Sequence, residues 1–378
     1  MNDPMRIVFL GLSLTSSWGN GHATTYRGLI RELDARGHDI LFLERNAPWY
    51  ASNRDMPEPP YARVILYENV ADLKKRCEEA VAEADLVIVG SYVPDGVEVG
   101  RWVQEKAQGV TAFYDIDTPV TLGKLERNEW EYISPDLIPE YDLYLSFTGG
   151  PTLRRLEREY GAPRALPLYC SVDPEIYYPA TMAPAWDLGY LGTYAADRQP
   201  TLERLLIEPA RRWPSGRFVV AGPMYPDKVR WSDNITRIEH LPPAEHRRFY
   251  NNQRVTLNVT RADMVQLGYS PSVRLFEAAA CGIPIISDYW EGIDELFDLG
   301  PELLIADTPV EVLDILEKID PEELQTIGRR GRNRILTQHT AAHRAAELET
   351  YVEPLISSRG LIAPERNTTA AQPGAKPV

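Results

Sequence analysis

Arg274 and Glu277 stand three residues apart in the stretch "GYSPSVRLFEAAACGIPIISD" (268 to 288), surrounded by Ala, Leu and Phe. A guanidinium can neutralise a phosphate, and a carboxylate can accept two vicinal hydroxyls. Ser270 suits a helix N-cap and Pro271 a first helical residue, and Gly282 with Pro284 would stop the helix after Cys281. A helix over about 271 to 281 leaves the N–H groups of Ser272 and Val273 unpartnered at the positive end of its dipole, a ready anion site. Glu277 lies six residues past Pro271, about 9 Å along the axis, with its side chain leaning back toward the start. A diphosphate at the helix start and a ribose beside Glu277 would fit that distance. The alternative is an i,i+3 surface ion pair between Arg274 and Glu277, worth about 0.2–0.5 kcal/mol. Val273, Leu275, Phe276, Ala278, Ala279 and Ala280 cover most of the helix circumference, however, and leave Glu277 little solvent to face.

Two further stretches carry candidate chemistry. "SSWGNGHATTYRGL" (16 to 29) has Gly19 and Gly21 but Thr24 where a dinucleotide fingerprint needs glycine, so an NAD site is not expected. A compact turn at Gly19 and Gly21 would let ligands approach the backbone, and His22 at the helix start could orient a sugar or move a proton, or simply pack. "FYDIDTPVT" (113 to 121) ends a buried strand with Asp115 and Asp117, alternate residues expected on one face of the cleft. A D-x-D pair could hold a divalent metal, but the candidate anion helix is far away in sequence, so no metal is expected. Asp117 is the candidate N-domain carboxylate: an acceptor base, or a stabiliser of positive charge on a reacting sugar; a turn cap before Pro119 is the plainer role. "RRGRNR" (329 to 334) reads as a solvated helix face. "HTAAHR" places His339 and His343 at i,i+4 without a third metal ligand nearby.

The elements that must position these residues form two series. Strands are expected at 6 to 12, 39 to 44, 63 to 67, 85 to 91, 110 to 116, 142 to 147 and 164 to 169, separated by helical patterns. After the proline-rich, aperiodic "CSVDPEIYYPATMAPAW", strands resume at 187 to 193, 217 to 223, 235 to 241, 255 to 261, 283 to 288 and 302 to 307. Near-continuous apolar strands alternating with helices imply parallel sheets covered on both faces. The fold class is therefore α/β, two doubly wound Rossmann-like domains facing across a cleft: 1 to 170, and 171 to 335. A C-terminal helix at 336 to 362 could pack back on the first domain, and 363 to 378 reads as a disordered tail. Ligands in such sheets bind beyond the carboxyl ends of the strands.

Composition narrows the function. A chain of 378 residues with a formal net charge of −15 repels nucleic acid and anionic lipid, so no nucleic-acid partner is expected. Its three cysteines have neither disulfide-scaffold nor metal spacing. The N-terminus has no basic region before its short apolar run, and no stretch approaches 18 apolar residues, so a cytoplasmic protein without a transmembrane segment is expected.

"YSPSVRLFEAAACGIPIISD", followed by "EGIDELFDLGPELLIADTPVEVLDIL", resembles the donor-binding region of group 1 glycosyltransferases of the GT-B fold, and in detail the CgeB-like (spore maturation protein) branch. "YCSVDPEIYYP", "RFVVAGP" and "NITRIEHLPPAEHRRFYNNQRVTLNVTR" extend the likeness, which covers about 164 to 350 well and the N-terminal half more loosely. The resemblance implies that Glu277 binds the donor ribose and that Ser270, Ser272 and Val273 hold the diphosphate. It also implies that Arg198 in "GTYAADRQP" neutralises the diphosphate, a task Arg274 could share. Many relatives carry a second glutamate eight residues before the ribose-binding one, contacting the sugar; here Tyr269 stands in its place, which leaves the sugar open.

The expected function is transfer of a hexosyl or related sugar from a nucleotide diphosphate sugar to an unidentified acceptor, be it glycan, protein or small molecule. Retention of configuration follows from the resemblance, and no cofactor or obligatory metal is expected. A nucleotide-sugar epimerase on the same scaffold and a non-catalytic sugar-nucleotide-binding protein are the rivals.

Overall fold

The computed structural model describes residues 3–18 and 21–360. Gly19 and the tail from 363 therefore lie outside the described residues. In the first domain β1 (Arg6–Gly11), β2 (Asp39–Arg45), β3 (Arg63–Tyr67), β4 (Leu86–Gly90), β5 (Val110–Asp115), β6 (Leu143–Ser146) and β7 (Ala165–Pro167) form one sheet. Their order is β3-β2-β1-β4-β5-β6-β7, every pair parallel. The second sheet contains β8 (Trp186–Leu191), β9 (Phe218–Ala221), β10 (Ile235–Ile238), β11 (Gln253–Asn258), β12 (Ile285–Ser287) and β13 (Leu304–Ile305). Its order is β10-β9-β8-β11-β12-β13, again parallel throughout.

Both sheets are buried on two faces, because helices return across each crossover and split the interior into paired apolar layers. Val87 and Val89 join one layer of the first domain, while Ile88 on the intervening position joins the other. In each sheet the strand order reverses beside the first strand, between β1 and β4 and between β8 and β11. Helices leave to opposite faces there, which opens a crevice at the carboxyl ends.

The chain crosses between domains twice. Residues 168–185 lead into the second sheet, and the return passes at 339–341, where Val172 bridges Thr340 and Ala341 N–H donates to Val172 O at 2.9 Å. The helix Ala341–Ser358 then lies along the first domain, with Ala345, Leu348 and Val352 in the same apolar layer as Leu29, Ile30 and Leu33 of the helix Gly21–Ala35. Met5 N–H donates to His38 Nδ1 at 3.0 Å, which places the ring proton on Nε2, 2.9 Å from Glu349 Oε1. Arg36 Nη1 donates to the other oxygen of Glu349 at 3.0 Å, so this buried carboxylate ties the last helix to the second strand's entry. Among the described residues no helix is long and apolar enough to cross a membrane.

Because Leu348 is wholly buried between the last helix and the first domain, Leu348→Ala should cost about 2–5 kcal/mol of stability, read as a lower urea midpoint. An unchanged midpoint would mean that the helix does not stay docked in solution.

Candidate functional site

The helix carrying Arg274 and Glu277 spans Val273–Ala280, beginning two residues later than its sequence signals suggest. Ser272, not Ser270, is its N-cap, and the Ser272 hydroxyl donates to Asn258 Oδ1 at 2.8 Å. Ser270 is turned away, its hydroxyl 2.9 Å from that of Thr148 in the first domain. The cause lies one residue earlier. Tyr269 has φ +49°, its N–H donates to Glu291 O at 2.6 Å, and its carbonyl accepts from Gly149 N–H at 2.9 Å. The backbone is thus committed to the other domain before a helix can start. The Tyr269 ring fills the space over two glycines, Gly150 and Gly292; a Cβ on Gly150 would stand 2.5 Å from it. Tyr269 is consequently a wedge at the domain junction.

Arg274 is buried in the first turn. Its Nε donates to Leu191 O at 2.6 Å and its Nη1 to Asn258 Oδ1 at 2.9 Å, with the guanidinium 4.9 Å over the Tyr190 ring. It therefore spans the ends of β8 and β11, where the strand order reverses. Two more guanidinium groups gather there. Arg198 donates through Nη2 to Thr193 O at 2.6 Å, and Arg261 follows β11. The Nε atoms of Arg198 and Arg261 are buried without a hydrogen-bond acceptor among the described residues. Burial pulls the Arg198 pKa below the usual range, and the neighbouring charges of Arg274 and Arg261 pull the same way, against the tyrosines Tyr190 and Tyr225. Three cations that repel one another, two with idle donors, make a pocket that an anion would relieve. The N–H groups of Ser272 and Val273, without a backbone acceptor among the described residues, belong to the start of the helix that carries Arg274.

Glu277 is 5% exposed, so it is not half of a surface ion pair. Its Oε2 accepts from the Tyr250 hydroxyl at 3.0 Å and lies 3.9 Å from His246 Nδ1, which is buried without a hydrogen-bond partner among the described residues. Burial, with the Glu277 charge adding to it, raises the hydroxyl pKa of both Tyr177 and Tyr250. Arg274 and Glu277 thus face separate partners from one helix, a cation at the switch point and a carboxylate one turn deeper.

On the facing domain Asp117 lies just past β5 and caps the helix Thr118–Glu126 by position, without a side-chain cap bond. Its Oδ2 accepts from the Tyr92 hydroxyl at 3.0 Å and stands 3.9 Å from Arg261 Nη1 across the cleft. Burial raises the Asp117 pKa, opposed by Arg261 and the Tyr92 hydrogen bond. Tyr92 itself has φ +63°, a left-handed backbone that a bulky residue seldom adopts. His22 packs edge-on to Tyr92 with ring centroids 5.2 Å apart, and burial lowers its pKa to about 4, so the imidazole is neutral at pH 7. Gly21 begins the same helix.

Asp115 does not join this group. Strand β5 ends at Asp115, so the alternation that would have put both aspartates on one face stops before Asp117. Asp115 is fully buried and accepts from the Tyr144 hydroxyl at 2.6 Å and the Thr121 hydroxyl at 2.7 Å. Among the described residues no cluster of three His, Cys, Asp or Glu side chains could hold a metal ion. His339 and His343 also diverge: one meets Arg344, the other the Thr340 hydroxyl. In the basic run, Arg332 and Arg334 bind Ala280 O and Glu302.

Sequence reasoning passed over Arg261, Asn258, Tyr92, Tyr250 and His246. Position at the carboxyl end of a buried strand was the available signal for Arg261, Asn258 and Tyr92. No comparable signal marks Tyr250 and His246, which meet Glu277 only through helix packing.

Burial raises the Asp115 pKa from 3.8 to about 6, outweighing its hydrogen bonds. Between those values the unfolded chain is ionised while the folded one keeps its proton, so this group's contribution to stability falls as pH rises through about 6. Relative to Asp115→Asn, the wild type should lose on the order of 2–3 kcal/mol between pH 4 and pH 7, measured by urea unfolding. A difference independent of pH would refute the assignment.

Residues 198–350 match the model of a family described as Glycosyl transferase-like. No curated protein sequence matches the chain. Among solved structures it is similar to sucrose-phosphate synthase from Thermosynechococcus elongatus, with TM-score 0.68, 14% identity, and 94% of this chain and 100% of that chain covered. Anabaena HepE in complex with UDP and glucose gives TM-score 0.68 at 13% identity, covering 93% and 100% of the two chains. A glycosyltransferase from Rickettsia africae gives TM-score 0.65 at 10% identity, covering 94% and 99% of the two chains. Two parallel, helix-covered sheets, matching these structures over 93–94% of the chain, are the GT-B fold.

Proposed function

We propose that the protein is a glycosyltransferase that takes a sugar from a nucleotide diphosphate sugar bound to the second domain. The observation that carries this is the gathering of Arg198, Arg261 and Arg274 at the β8/β11 switch point, with buried Glu277 on the same helix as Arg274. Diphosphate oxygens would accept from the idle guanidinium N–H groups and from the helix start. Glu277 would accept from the ribose hydroxyls, taking the place in part of the Tyr250 contact. The match of residues 198–350 to a glycosyl transferase-like family and the UDP and glucose held by Anabaena HepE support the same ligand class.

The chemistry follows from charge. As the bond between the anomeric carbon and the diphosphate oxygen breaks, negative charge grows on the leaving group and positive charge on the sugar ring. Fixed cations at the switch point stabilise the first. The Asp117 carboxylate, facing them from the other domain, would stabilise the second or take the acceptor's proton. Neutral His22 beside Tyr92 would hydrogen-bond the sugar. Arginines would supply the charge that a metal would otherwise supply, so transfer is metal-independent, and its retention of configuration rests on the likeness to group 1 glycosyltransferases alone.

Calorimetry against UDP, GDP, ADP and dTDP should show one nucleoside diphosphate bound clearly more tightly than the rest. Arg198→Ala and Glu277→Gln should each weaken it by about 10- to 100-fold, the loss of a charged hydrogen bond, with the fold intact by circular dichroism. Unchanged affinity in both variants would remove the donor site. Asp117→Asn should bind the nucleotide at least as tightly as the wild type yet stop release of nucleoside diphosphate from the sugar nucleotide, whereas an epimerase would alter the sugar nucleotide itself without releasing diphosphate. Excess EDTA should leave turnover intact; loss restored by Mn²⁺ or Mg²⁺ would reverse that expectation.

A further inference from the structure

Arg261 stands between carboxylates from the two sides of the cleft. Its Nε is 3.7 Å from Asp197 Oδ2 and its Nη1 is 3.9 Å from Asp117 Oδ2, both beyond direct hydrogen-bond range. Each oxygen already has a closer donor. Asp197 Oδ2 accepts from Ala262 N–H at 3.0 Å, and Asp117 Oδ2 from the Tyr92 hydroxyl at 3.0 Å. The guanidinium therefore feels two anions without a well-formed bond to either, and its buried Nε has no acceptor among the described residues. A diphosphate beside Arg198 and Arg274 would offer charge-assisted bonds of about 2.7–2.9 Å.

We propose that Arg261 is shared between Asp117 and the leaving diphosphate, so that donor binding draws it off Asp117 and exposes that carboxylate to the sugar. The proposal rests on the diphosphate assignment above. Without donor, the cross-cleft pair neutralises Asp117 and draws the loop after β11 toward the first domain. With donor, Arg261 joins the diphosphate and Asp117 regains an uncompensated charge facing the sugar whose anomeric carbon is becoming electron-poor. Of the cations that favour a charge on Asp117, Arg261 acts more strongly than Lys124. Lys124 is drawn to Glu131 and lies over the Tyr92 and Tyr132 rings, 5.4 and 5.1 Å from their centroids. Asp263 raises rather than lowers the cost of a charge there. Arg261 is then a binding residue with a second, positioning action on Asp117, and donor and carboxylate compete for one cation.

A double-mutant cycle tests this, with calorimetric affinity for whichever of UDP, GDP, ADP and dTDP binds most tightly as the readout. Asp117→Asn should tighten binding by about 3- to 10-fold, because the nucleotide no longer has to win Arg261 from a carboxylate. Arg261→Gln should weaken binding by about 10-fold or more, and Arg261→Lys should restore part of that loss. In the Arg261→Gln background, Asp117→Asn should change nothing. An equal tightening in both backgrounds would reveal simple repulsion between Asp117 and the nucleotide and overturn the sharing, as would no tightening in either. Arg198→Ala separates the two levels: if it leaves affinity unchanged, the diphosphate assignment fails, and if it weakens binding while the cycle shows no coupling, only the sharing fails.

Discussion

A buried guanidinium governs this molecule. Arg274 lies between the ends of two parallel strands, and desolvating its charge would be prohibitive without the Leu191 carbonyl and the Asn258 amide oxygen that receive it. Those acceptors exist because the strand order reverses at β8 and β11, leaving strand ends that no crossover helix covers. The neighbouring Arg198 and Arg261 add charge faster than the protein adds acceptors. In a chain whose formal net charge is −15, such a concentration of positive charge is a local construction working against the global field. That arrangement is the physical basis of the diphosphate site proposed above.

The start of the same helix is where the two domains meet. Tyr269 and Ser270 bond to Gly149 and Thr148 of the first domain, and the Tyr269 ring lies against glycines from both. The Cys170 thiol, on the connecting segment, reaches Pro271 O at 3.5 Å. Any rotation of one domain on the other must therefore pull on the loop that delivers the open N–H groups of Ser272 and Val273. Tyr269 thus has a clear mechanical role at the junction of the two domains.

Strand runs such as "DLVIVGS" were legible because burial on both faces leaves an apolar signature that few other structures share. Glu277 was legible for the complementary reason: a carboxylate on an otherwise apolar helix must have a partner. The start of that helix was misjudged, since "YSPS" holds two serines able to cap it, and only contact with a turn more than a hundred residues earlier decides between them. Arg261 was harder to read: its place after a buried strand was a signal, but nothing in "VTLNVTRADM" distinguishes an arginine aimed into a cleft from one in solvent. Local sequence encodes which residues will be strand ends; the partner across the cleft is set by how two domains meet.

Asp115 and Asp117 show how finely that division falls. They are the same residue type, two positions apart, and period-two alternation would make them equivalent. One residue of strand separates them: β5 ends at Asp115, whose side chain stays inside with Tyr144 and Thr121, while the chain turns and carries Asp117 out to Tyr92 and the cleft. Burial raises the pKa of both, but the consequences differ. Asp115 has only neutral hydroxyls and a backbone N–H to meet a charge, so its burial is a cost that tethers strand β5 to the helix behind it. Asp117 has the Arg261 cation opposite, 3.9 Å away, and under the sharing proposed above its charge would be masked or released by that one arginine. A carboxylate that can be switched in this way is suited to chemistry, and one locked among hydroxyls is suited to architecture.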